Sequence, residues 1–195
     1  IILACNGYGA NPGLIAEHIP EMKDALYFGH PGNQGEAILW GKTLGAELLH
    51  LSGYQGHGSV AHPHGILVTW ALMMEGGIQV NAKGERFSNE HNGYSEQAVS
   101  VLAQDEKIAF NIFDERLAVL GRGFDDFKKA EQSGALIKAE SSENLARKLG
   151  VDPSTFYKTL AECEQYASGD QVDPFGRNFE PKKRLAAPYY AVKVT

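Results

Sequence analysis

Apolar positions along the chain fall into short runs divided by glycine-rich turns, and the period of each run predicts its element. Ile1–Cys5 is a continuous apolar run that predicts a buried strand. The turn Asn6-Gly7-Tyr8-Gly9-Ala10-Asn11-Pro12 follows, and then a short helix around Gly13–His18. A second glycine-rich turn, His30–Glu36, leads into a helix over Ala37–Leu44, with Gly45 as its stop. Ala46–Leu51 predicts a strand. Gly77–Phe87 predicts a hairpin turning at Lys83-Gly84, Ser95–Gln104 a helix with Ala98, Val99, Val101 and Leu102 inward, and Ile108–Phe113 a strand. From Asp114 onward the pattern is mostly helical. One helix begins at Ser141–Asn144 and stops at Gly150. The next has Asp152 as N-cap and Pro153 in its first turn, and ends at Ser168-Gly169-Asp170. A polar, proline-marked connector over Pro174–Pro188 reaches the closing strand-like run Tyr189–Thr195.

The sum is an α+β chain with strands at both ends and no obvious partner for either between them. That pattern raises the expectation of a piece of a larger protein, since unpaired edges need neighbours. At 195 residues the length suits one domain, or one domain and part of another. A 43% hydrophobic and 22% charged composition excludes wholesale disorder. The net charge of −6 excludes a nucleic-acid binder that works by phosphate neutralisation. No apolar run reaches the ~18–20 residues of a membrane span. Two cysteines, Cys5 and Cys163, form neither a disulfide framework nor a thiolate metal site, which points to a reducing, cytoplasmic compartment.

Candidate chemistry is sparse. Neither glycine-rich turn fits the G-x-G-x-x-G fingerprint, and no P-loop is present, so their value would be backbone N–H groups offered to a polar or anionic ligand. His57, His62 and His64 have the density of a zinc site, but Pro63 splays them and no carboxylate or thiolate stands at matching spacing, so no metal is assigned. A catalytic or substrate-contacting role for one histidine fits better. Arg86-Phe87-Ser88-Asn89-Glu90 reads either as a strand exit, with Phe87 in the core and Arg86 on a carboxylate, or as a loop approaching a site. Tyr94, after Gly93, is either packing or an acid/base at the tip of a turn. Without a G-x-S-x-G elbow or a Cys/His pair, acyl transfer is disfavoured. A histidine-based metal hydrolase and a non-catalytic binding module stand as alternatives.

Three stretches carry a resemblance. Ile2–Tyr8, Asn33-Gln34-Gly35-Glu36 and Gly77–Glu90 resemble, in order and spacing, the fumarate reductase and succinate dehydrogenase flavoprotein family, across nearly the whole chain. The resemblance implies an FAD-binding α/β domain interrupted by a cap of small sheet and several helices, with substrate between cap and flavin. Residues 1–76 would be the end of the first FAD-domain half and its linker, 77–184 the cap, and 185–195 a return strand. FAD would belong to the full-length parent and not to this segment alone, and missing FAD-domain segments and a small-molecule substrate would be the partners. His57 and Thr69 fall on the family's substrate-contacting histidine and threonine. Gly32, Asn33, Gly35 and Glu36 fall on its flavin-approaching loop, and Ala4 and Gly7 on the strand-end turn beside the cofactor.

The departures are informative. Where the family has a glutamate and, three residues on, an arginine, this chain has Trp70 and Met73, and Tyr94 occupies the place of the proton-delivering arginine. A buried carboxylate without its cation costs several kcal/mol. A C4 dicarboxylate is therefore disfavoured. The expected chemistry is hydride transfer at a carbon beside a carbonyl or carboxylate, with His57 and Thr69 polarising the carbonyl and Tyr94 as acid/base.

Overall fold

A computed structural model describes residues 2–195, which form two compact units, one through Gln55 and one from Gly56 to Thr195. The first unit holds two short α-helices, α1 (Pro12–His18) and α2 (Glu36–Thr43), joined by a 3-10 turn (Pro20–Met22) and irregular chain. Asn11 caps α1 by accepting from the Leu14 N–H at 3.1 Å, and α2 ends at a left-handed Gly45. Residues 2–5 and 46–51 form no strand, contrary to their apolar patterns; Ile1 lies outside the described residues. Leu3 and Leu49 in these stretches are largely exposed, so neither run has the burial that would order a strand.

The second unit is built on one antiparallel sheet. Its strands are β1 (Val60–Ala61), β2 (Ile66–Leu67), β3 (Ile78–Val80), β4 (Ala109–Asp114), β5 (Leu136–Ala139) and β6 (Tyr189–Val194), in the order β2-β1-β6-β4-β3 with β5 also on β6. The closing run thus finds its partners within the chain, in register from Ala109↔Val194 to Asp114↔Tyr189 on β4 and from Leu136↔Val192 to Ala139↔Tyr189 on β5. The expected divisions after Gly76 and Arg184 both fall inside this unit.

Successive side chains of β4 and β6 alternate between two cores, as a period of two requires. Ala109, Phe113, Tyr190, Val192 and Val194 face a layer of α3 (Ala71–Met74), α4 (Tyr94–Leu102), α5 (Glu115–Gly121) and α6 (Asp125–Gln132). Phe110, Ile112 and Ala191 face α7 (Ser142–Leu149) and α8 (Pro153–Ser168). Covered on both faces, all six residues of β4 are buried. The helix caps follow the sequence: Asp114, Ser141 and Asp152 accept from the third residue on in each case, and Gly150 and Gly169 close α7 and α8 in the left-handed region.

The expected hairpin at Lys83-Gly84 does not form. The Asn81 side chain accepts from the Lys83 and Glu85 N–H groups, curling the chain after β3 into a local turn, and β3 pairs with β4 instead. No helix among the described residues is long and apolar enough to cross a membrane.

Candidate functional site

Beyond that turn, Arg86 runs inward. Its guanidinium donates to both Glu90 carboxylate oxygens, at 2.9 and 2.7 Å, and to Asp173 at 2.6 Å. Arg177 donates to Glu90 from Nη1 at 3.0 Å and from its backbone N–H to Asp173 at 2.8 Å. All four side chains are buried, and the Phe179 ring lies 4.8 Å from the Arg86 guanidinium and 4.5 Å from that of Arg177. Burial by itself would raise the Glu90 pKa. Hydrogen bonds and charge from Arg86, then Arg177, outweigh it and hold the carboxyl below its ordinary range. The Arg86 stretch is therefore a structural clamp, with Phe87 packed against the core. Asp173 and Arg177, remote in sequence, complete it without any local pattern to reveal them.

The clamp holds one end of a buried polar chain. Glu90 accepts the Gln79 N–H at 3.0 Å, Gln79 Nε2 donates to Asn111 and to the Gly58 carbonyl, each at 2.7 Å, and Gln97 Nε2 donates to Gln79 Oε1 at 2.7 Å. These bonds fix the backbone at Gly58. A Cβ at Gly58 would lie 2.9 Å from the carbonyl carbon of Gln97, so only glycine lets the segment before β1 approach α4. Gly58 also donates to the Tyr94 carbonyl at 3.0 Å, and Gly56 to the Ser95 hydroxyl at 2.8 Å.

His57 is held between those two glycines. Its imidazole stacks on the Tyr94 ring at 5.3 Å between centroids and meets the Trp70 indole edge-on at 6.1 Å. Burial lowers its pKa, so the ring is neutral at pH 7. His57 Nδ1 and Trp70 Nε1 are both buried, and neither has a hydrogen-bond partner among the described residues. Tyr94 is 38% exposed and forms the open side of the group. The hydrogen bond from Val68 N–H to the Ser59 carbonyl, 2.9 Å, extends the β1–β2 pairing toward Thr69 and Trp70. The Thr69 hydroxyl accepts the Ala71 N–H at 3.3 Å, leaving its own proton to donate elsewhere.

His57, Trp70 and Tyr94 thus converge, with Thr69 next in chain. His62 and His64 sit in the exposed turn beyond β1, and no group of three or more potential metal ligands occurs among the described residues. Met73 is 0% exposed and part of the core.

In the first unit, the two glycine-rich turns are tied together. Ala10 N–H donates to the Asn33 carbonyl at 3.0 Å, and Asn11 Nδ2 to the Gln34 carbonyl at 2.9 Å. Gly35, at φ 84°, packs so closely that a Cβ would lie 2.8 Å from Tyr8 Cβ. Gly7 adjoins this junction, Gly32 and Asn33 form its far turn, and Ala4 lies in the irregular lead-in. Glu36 Oε2 is buried without a hydrogen-bond partner among the described residues.

The model of the FAD binding domain matches residues 1–195. The chain belongs to this FAD-binding family. A probable fumarate reductase of Shewanella frigidimarina is 30% identical over 197 residues, covering 100% of this chain and 32% of that protein. The chain therefore spans about a third of the length of that relative. The open conformation of a flavocytochrome c3 fumarate reductase superposes with a TM-score of 0.78 at 30% identity, covering 100% of this chain and 34% of the other. A solution structure of a fumarate reductase flavoprotein subunit from Lactobacillus plantarum has the same fold (TM-score 0.51, 24% identity), covering 71% of this chain and 92% of that one. For an FAD-binding chain, the close junction of two glycine turns and the orphaned Glu36 acceptor fit a polar cofactor rich in N–H and hydroxyl donors.

Proposed function

We propose that this chain is the substrate-side part of an FAD-dependent oxidoreductase acting on a carbon beside a carbonyl or carboxylate. Residues 77–184 form the centre of its cap, with 56–76 and 185–195 joined to it through the shared sheet. The preceding residues belong to the FAD-binding half, where Ala4, Gly7, Gly32, Asn33, Gly35 and Glu36 hold the cofactor. The remaining FAD-domain segments of the same protein are the partners this reading requires.

The observation that carries the reading is the unpartnered, buried Nδ1 of a neutral His57 set against Tyr94. When bound, FAD supplies hydride chemistry at its N5 atom. His57 and the Thr69 hydroxyl donate to the substrate oxygen, where negative charge grows as the neighbouring carbon changes hybridisation; a donor in place beforehand stabilises that charge without reorganising. The Tyr94 phenol exchanges the proton at the adjacent carbon. Trp70, packed against His57, keeps water from the imidazole.

Tyr94→Phe keeps the ring that stacks on His57 and removes only the hydroxyl. In the full-length holoenzyme it is expected to lower kcat at least 100-fold with FAD content unchanged. Activity within a few-fold of the parent would remove Tyr94 from proton transfer.

A further inference from the structure

Two buried ring nitrogens without partners stand on rings in contact, Trp70 Nε1 and His57 Nδ1. An indole N–H can only donate, and leaving it unmade inside a protein is costly. Nearly all buried donors are satisfied, so an orphan beside a reacting group is a candidate ligand contact. We infer that Trp70 Nε1–H is the specificity-determining donor of this site, and that its ligand is a conjugated carbonyl compound with one polar end and an apolar body. The inference rests on the flavoenzyme reading given above.

The charge arrangement supports a single polar end. The buried guanidiniums of Arg86 and Arg177 are bound to Glu90 and Asp173. Met73, three residues beyond Trp70, is sealed in the core and brings no cation to the site. A second carboxylate beside Met73 would gain no charge partner from that side chain, and burying a charge unpaired is costly. An apolar body, in contrast, meets the Tyr94 and Trp70 rings, which favour offset or edge contact with another π system. Tyr94 opens α4 directly after Gly93 and is 38% exposed, so its ring is the member of the group that meets solvent.

The test uses the full-length holoprotein with cinnamate, benzylideneacetone and fumarate as probes. Ligand binding is read from perturbation of the flavin absorbance and from the 15N-labelled Trp70 indole N–H resonance, identified by its absence in Trp70→Phe. Saturable binding of cinnamate or benzylideneacetone at least tenfold tighter than fumarate, with the indole resonance moving to lower field, is the expected result. The two aromatic probes separate a carboxylate from a ketone as the accepting oxygen. Trp70→Phe is expected to weaken that binding about tenfold while flavin content is kept. Fumarate binding as tightly as the aromatic probes, or an indole resonance that stays in place while they bind, overturns the inference. A full-length protein without flavin overturns the flavoenzyme reading instead, and the indole resonance, which needs no flavin, still decides this one.

Discussion

At the residue scale, the decisive pair is Arg86 and Glu90, four apart in sequence and both out of water. Taking one partner from a buried pair leaves the other's charge uncompensated, at about 3–5 kcal/mol. Glu90→Gln keeps the shape and leaves Arg86 and Arg177 with only the Asp173 carboxylate. It is expected to lower stability by about 3 kcal/mol at pH 7, read from urea unfolding. The pH dependence has a definite sign. Because the Glu90 pKa is depressed on folding, its contribution is present above the unfolded-state value and is lost as pH falls through the folded-state value. The gap between parent and variant should therefore close in acid; a gap that widens below pH 4 would contradict the assignment. Of this cluster, Arg86 and its need for a carboxylate were legible in sequence. Asp173 and Arg177 were not, since a contact across 87 positions leaves no local period to read. Likewise Gln79 and Asn111 interrupt apolar strands, which flags a polar partner but not which one.

At the scale of elements, local chemistry was the reliable guide. Asp152 accepts the Thr155 N–H as its N-cap position predicts, and Asp114 and Ser141 cap α5 and α7 in the same way, because a cap needs only residues three apart. The Gly77–Phe87 hairpin failed for a reason of the same kind. The Asn81 side chain takes the Glu85 N–H that a returning strand would have used, and the clamp then draws Arg86 inward. The strand at Leu136–Ala139 was missed because its four residues owe their order to Tyr189–Val192, far along the chain. The same close packing makes Gly58 a sensitive hinge between sheet and α4. Gly58→Ala is expected to cost about 1–3 kcal/mol through overpacking against Gln97 and Ala98. It should also displace His57, next in chain, so that substrate KM rises while FAD content stays constant. A variant of parental stability and KM would show that the segment before β1 can back away from α4.

At the scale of the molecule, the two units differ in what they bury. The unit from Gly56 onward contains every strand of its sheet and both helical layers that cover it, so the apolar surface that stabilises it is removed from water by its own residues. The unit through Gln55 buries few apolar side chains and exposes others, among them Trp40, Leu44 and Leu49. Such a segment gains little from ordering alone against a backbone entropy of about 1–2 kcal/mol per residue. Residues 56–195 expressed alone are therefore expected to unfold in one cooperative thermal transition, followed by far-UV circular dichroism, and to show dispersed amide resonances. The isolated unit should bind no FAD, because the residues assigned to the cofactor lie before Gly56. The two readouts separate two ideas. A gradual, non-cooperative melt would mean that the sheet needs residues before Gly56, whereas a sharp melt with near-stoichiometric flavin absorbance would keep the unit intact and move the cofactor contacts into the cap.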